Sequence, residues 1–178
     1  MPAPHPTSHI PNPKRTHDAS TRIRAFLLAT LAVGIIGMGV ELLLIGHAES
    51  VQQQIPLVLL ALGAVTLGVH AAASRPVTVR ALQAVMTLFV ISGAVGVWLH
   101  YRGNVEFELE MYPSMSGLEL VQKTLTGATP VLAPGSMTLL GLIGLTHSYR
   151  HPSIHSGAWA PKPWRRRPDA LLNEEGDS

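Results

Sequence analysis

Cysteine is absent from the 178 residues, which excludes disulfides, thiolate zinc sites, iron–sulfur clusters and S-acylation. Charge is scarce as well. Asp, Glu, Lys and Arg make up 13% of the chain against 47% apolar residues, and that charged share is about half of what soluble proteins carry. The deficit points to lipid as the solvent. The sequence also has no nucleophile elbow, no phosphate-binding loop and no zinc-protease motif, which favours a non-enzymatic role. The pI near 9.3 does not indicate nucleic acid, because the basic residues flank apolar runs, as membrane-topology signals do, instead of lining one polar helix face.

Four apolar runs are present, over 23–46, 55–73, 81–100 and 131–149. At about 1.5 Å of rise per residue the first extends about 36 Å, enough to cross a hydrocarbon core of about 30 Å with tilt. A signal peptide is the competing reading of that run, but its apolar stretch exceeds the usual h-region of about 7–15 residues and Glu41 interrupts it. The second opens near Pro56 and stops at Arg75 and Pro76. The short link to the third forces an antiparallel pair. In the fourth, Pro134 delays the start of regular helix. The expected fold is an all-α membrane protein, a four-transmembrane-helix bundle over 21–150. It is flanked by a disordered Pro- and His-rich tail over 1–20 and a basic, aromatic tail over 151–178.

Under this arrangement Lys14, Arg15, Arg22, Arg24, Arg75, Arg80, Arg150, Lys162, Arg165, Arg166 and Arg167 fall on one side. Arg102 and Lys123 fall on the other, which accounts for all 13 Lys and Arg residues. Positive charge collects on cytoplasmic loops, so both termini are expected inside a multi-pass protein of the cell's inner or plasma membrane. Trp159, Trp164 and Arg165–Arg167 suit anionic lipid headgroups at the cytoplasmic tail.

The outer segment between the third and fourth runs carries two patterns. Glu106, Glu108 and Glu110 alternate with Val105, Phe107, Leu109 and Met111, a period of two that reads as an extended strip. Its carboxylates form either a divalent-cation site or a solvated edge. Ser116 and Glu119 then resemble a capping box, and Leu118, Val121 and Leu125 repeat at helical spacing up to Gly127. A short amphipathic outer helix follows, at the membrane surface or across the bundle mouth.

Three stripes combine small and polar residues at i, i+4, i+7, i+11: Thr30–Gly34–Gly37–Glu41, Leu59–Gly63–Thr66–His70, and Phe89–Gly93–Gly96–His100. Small residues let membrane helices approach closely, so Glu41, His70 and His100 are expected to face neighbouring helices. Either they function there or they snorkel and cap helix ends. Three functions are compatible with these residues. One is an accessory or assembly subunit with a membrane-protein partner or a second copy of itself. Another is a haem b or quinone-linked redox subunit in which His70 pairs with His147, or His47 with His100. The last is a small proton-coupled transporter using Glu41.

Overall fold

The computed structural model describes residues 13–46, 48–127 and 129–155. They form six helices and no strand: α1 (Pro13–Leu44), α2 (Val51–Ala72), α3 (Pro76–Met111), α4 (Gly117–Leu125), α5 (Gly135–Ser148) and α6 (Pro152–His155). Three are long and apolar enough to cross a membrane: α1 from Asp18, α2 and α3. The fourth expected stretch, 131–149, is regular helix only over the 14 residues of α5.

Each boundary has a local cause. The turn after α1 contains Gly46 at φ 70, a conformation glycine adopts without steric cost. Ser50 starts α2 through a reciprocal box: its hydroxyl accepts from Gln53 N at 3.3 Å, and Ser50 N donates to Gln53 Oε1 at 3.1 Å. The helix therefore begins before Pro56, which lies inside it and not in its first turn. Pro76 opens α3 at a position where a missing N–H costs nothing.

Three expectations are corrected. The strip at 105–111 is not extended: α3 runs unbroken through Met111. Propagating an existing helix costs far less than starting a strand with no partner to pair with. On the helix Glu106 and Glu110 are exposed while Glu108 is buried, so the three carboxylates do not share a side, and Glu106 pairs with Arg102 at 2.9 Å. Ser116 is the N-cap of α4 but its hydroxyl makes no capping bond; Gly117 at φ 63 turns the chain so that no box with Glu119 closes. The tail read as disordered over 1–20 contributes Pro13–Ser20 to α1, and its residues 1–12 lie outside the described residues, as do residues 156–178 with Trp159, Trp164 and the basic run.

Helices α1, α2, α3 and α5 pack in a ring, α1 on α2, α2 on α3, α3 on α5 and α5 on α1. The tightest seam is α3 with α5. A Cβ added at Gly93 would stand 2.6 Å from Thr138 N, and one at Gly141 would stand 2.6 Å from Met86 O. These glycines bring backbone against side chain and backbone, the close approach on which helix association in lipid relies. Leu31, Ile35, Leu82, Met86, Phe89 and Leu140 fill the centre. At the other end Asn104, 2% exposed, holds the outer segment on α3. Its amide nitrogen donates to Thr124 O at 2.9 Å and Thr129 O at 2.8 Å, and its oxygen accepts from Thr129 Oγ1 at 2.6 Å.

Gly93→Leu is expected to destabilise the bundle by about 1–3 kcal/mol or more through overpacking. Leu88→Ala, at a side chain 45% exposed, is expected to cost under about 1 kcal/mol. Thermal unfolding in detergent compares them, and equal midpoints would contradict a close α3–α5 seam.

Candidate functional site

Beside Arg24, about three turns into α1, and at the ends of α2 and α5, three imidazoles meet. His70 and His147 are 1% and 3% exposed and His151 is 8% exposed. His70 Nε2 lies 3.1 Å from His147 Nε2, the ring centroids stand 5.3 Å apart at 84°, and the His151 ring lies 5.2 Å from His70 and 5.8 Å from His147. The contact bridges the diagonal of the ring, where α2 and α5 otherwise do not pack.

The frame around the histidines is polar and specific. His147 Nδ1 donates to Arg24 O at 3.0 Å. The Arg24 guanidinium reaches back to the end of α5, donating to His147 O at 2.6 Å, Tyr149 O at 3.0 Å and Arg150 O at 3.2 Å. These bonds satisfy carbonyls that a helix C-terminus leaves without partners. They also hold the turn in which Arg150 takes φ 45, a left-handed conformation uncommon for a residue with a side chain. That turn ends α5 and folds His151 back over the other two rings. On the opposite side His70 Nδ1 meets Thr78 Oγ1 at 3.3 Å, and Thr78 Oγ1 is also 2.9 Å from Ala73 O. His151 Nδ1 accepts from Ser153 N at 3.3 Å, and Ser153 Oγ donates to Ser74 O at 2.9 Å, which fastens α6 to the α2–α3 link.

The structure thus unites His70 with His147, the first of the two expected pairs. A haem between them does not fit this arrangement. Metal–imidazole bonds are about 2.0–2.1 Å, so axial ligands on opposite sides of an iron stand about 4 Å apart, wider than the 3.1 Å found here, and the rings lie nearly perpendicular with no slot for a macrocycle. The second pair is not formed among the described residues: His47 lies outside them, and His100 Nδ1 donates to Pro130 O at 3.2 Å. Glu41, expected to face a neighbouring helix, is exposed together with Thr30 and Gly37. It edges an outer cavity of about 770 Å³ whose walls also include His100 and Ser136, and it forms no ion pair among the described residues.

His151, Arg24 and Thr78 were not singled out from the sequence as site residues. No helical spacing signals the meeting of His147 and His151, because α5 ends at Ser148 and the turn at Arg150 brings His151 back. Comparison with known protein families, curated proteins and solved structures gives no match.

Burial, with His70, the Arg24 guanidinium and His147 close by, pushes the His151 imidazole down to about 4. A base held neutral when folded binds fewer protons than the unfolded chain, whose His titrates near 6.5, so stability rises with pH between those values. With chelator present, the unfolding midpoint in detergent is expected to fall as pH drops from about 6.5 to about 4. In His151→Ala that dependence should be shallower, and an unchanged slope would show that His151 stays solvated.

Proposed function

We propose that the chain is a four-span protein of the cell's inner or plasma membrane with both termini in the cytoplasm, acting as a non-enzymatic accessory or assembly subunit that seats another membrane helix along α1. The length of α3 supports the placement. Its 36 residues extend about 54 Å at 1.5 Å each, far more than the bilayer core of about 30 Å. From Arg80 to Tyr101 is about 32 Å by the same rise, and Tyr101 stacks on Trp98 where an aromatic belt would lie. The rest of α3, with α4, stands outside. Although α5 is short, the bonds from Arg24 tie its end to the cytoplasmic start of α1, so it runs the opposite way to α3 and completes the fourth crossing with the turn at 131–134.

The observation that carries the role is the outward flank of α1. Gly37 has nothing within 4 Å of an added Cβ, and Glu41 stands exposed one turn further on. A carboxylate toward lipid is costly, and a small residue at an exposed position leaves room for a second helix to approach. A partner helix, from another membrane protein or from a second copy, relieves both.

Topology reporters fused after Ser74 and after Arg150 are expected to report the cytoplasm, and reporters within 101–129 the outside. A cytoplasmic signal from that segment would reverse the placement. For the role, Gly37→Leu should leave thermal stability of the isolated chain within about 0.5 kcal/mol yet release the partner, or the second copy, from complexes extracted in mild detergent. A chain that is monomeric and partner-free before and after Gly37→Leu would overturn the assembly reading.

A further inference from the structure

We infer that His70, His147 and His151 form a binding site for a divalent transition-metal ion, with His70 and His147 ligating through Nε2. The three side chains offer ligand nitrogens that all lie within 4.8 Å of one another. Metal–nitrogen bonds of about 2.0–2.1 Å at tetrahedral angles place adjacent nitrogens about 3.3 Å apart, and the His70–His147 pair stands at 3.1 Å. That pair needs little movement to admit an ion, whereas His151 has to close in from within 4.8 Å. Imidazole donors select Zn²⁺, Cu²⁺, Ni²⁺ or Co²⁺, whereas Mg²⁺ and Ca²⁺ require oxygen ligands. Three histidines leave one tetrahedral position for water or a small anion.

The hydrogen bonds behind the rings are a second, independent indication. Arg24 O can only accept, so His147 carries its proton on Nδ1 and turns a bare Nε2 lone pair toward His70. A backbone carbonyl fixing the tautomer of a ligating histidine in this way is a regular feature of metal sites. In the metal-free chain His70 satisfies that lone pair by donating from its own Nε2–H, and its Nδ1 then competes with Ala73 O at 2.9 Å and Arg75 O at 3.0 Å for the single Thr78 hydroxyl hydrogen. When the ion binds, the His70 proton moves to Nδ1 and donates to Thr78 Oγ1, while the Thr78 hydroxyl turns its hydrogen to Ala73 O. No proton is gained or lost. Thr78 is therefore a positioning residue, able to serve either tautomer because its hydroxyl both donates and accepts. His151 completes the set by giving up its 3.3 Å bond from Ser153 N. It is the ligand that closes last.

The test is titration of the full-length, metal-free protein in detergent with Co²⁺, read as visible d–d absorption. One equivalent is expected to give a band of tetrahedral intensity that Zn²⁺ abolishes. His70→Asn and His147→Asn should lose the band. His151→Gln, at the rim of the cluster, should weaken binding without unfolding the bundle, which keeps the test valid if either inner variant fails to fold. Thr78→Val should bind about 10–100-fold more weakly, and Thr78→Ser should restore affinity. Replacing His5, His9 and His17 together should change nothing. Nitrogen NMR of the metal-free protein should find the His147 proton on Nδ1 and the His70 proton on Nε2, with the latter shifting to Nδ1 on Zn²⁺ binding. Absence of a cobalt band, a band lost only with the tail histidines, or a His70 proton that stays on Nε2 with Zn²⁺ bound would each overturn the site.

Discussion

The close approach of α3 and α5 is the constraint on which the other placements depend. Glycine at 93 and 141 lets the two backbones come within reach of each other's atoms, and with no hydrophobic drive between helices in lipid, such packing supplies the attraction. Once α5 lies in that seam its last turn falls beside Arg24 and the end of α2. His147 therefore reaches His70 as a consequence of backbone fit at Thr138 and Gly141, earlier along α5. A side chain at either glycine would displace the histidine without touching it.

Polar groups at the histidine end of the bundle then become a closed system. The end of α5 leaves carbonyls unpaired, and Arg24, reaching from the first turns of α1, accepts that task for His147, Tyr149 and Arg150 together. The same residue's carbonyl sets the His147 tautomer. One residue thus links the termination of a helix, the left-handed turn at Arg150 and the protonation pattern of the cluster. The opposite end is different in kind. There Asn104 fixes the connecting segment, while Glu41 and His100 both border a cavity and form no ion pair with each other.

How much of this was legible in the sequence follows from which signals are periodic. Three of the four expected spans, the α2–α3 hairpin, the short amphipathic helix and the inward turn of Gly63, His70, Gly93 and Gly96 rest on apolar or small-residue spacing along a single helix, and these appear where that spacing puts them, whereas the fourth stretch is regular helix only over α5. The stripe on α1 misleads, because its spacing is right but its face is set by the Leu31–Ile35 side, which competes for the same core and wins; only Gly34 of that stripe meets a neighbour, Leu140. The alternation at 105–111 misleads for a related reason: a period of two over seven residues cannot outweigh a helix already propagating from Pro76. Arg24 was illegible as a site residue, since it acts on a segment 123 positions away, while Thr78 and His151 are placed by turns that no periodic pattern announces.

The two ends of the bundle also divide the work that polar residues do in lipid. At the histidine end every ring nitrogen that the histidine pair directs away from the centre already has a partner, so the unspent chemistry is confined to the space between His70, His147 and His151. Satisfied polar groups at a dry helix junction rigidify it, whereas a half-satisfied set would be costly. That is why a hydroxyl able to reverse its role, Thr78, matters at this position and a valine of the same shape would not serve. At the flank of α1 the reverse holds: Glu41 is exposed and forms no ion pair among the described residues. Under the assembly role proposed above, the closed network keeps the bundle's own shape while the exposed Glu41 flank is the face left for a partner helix.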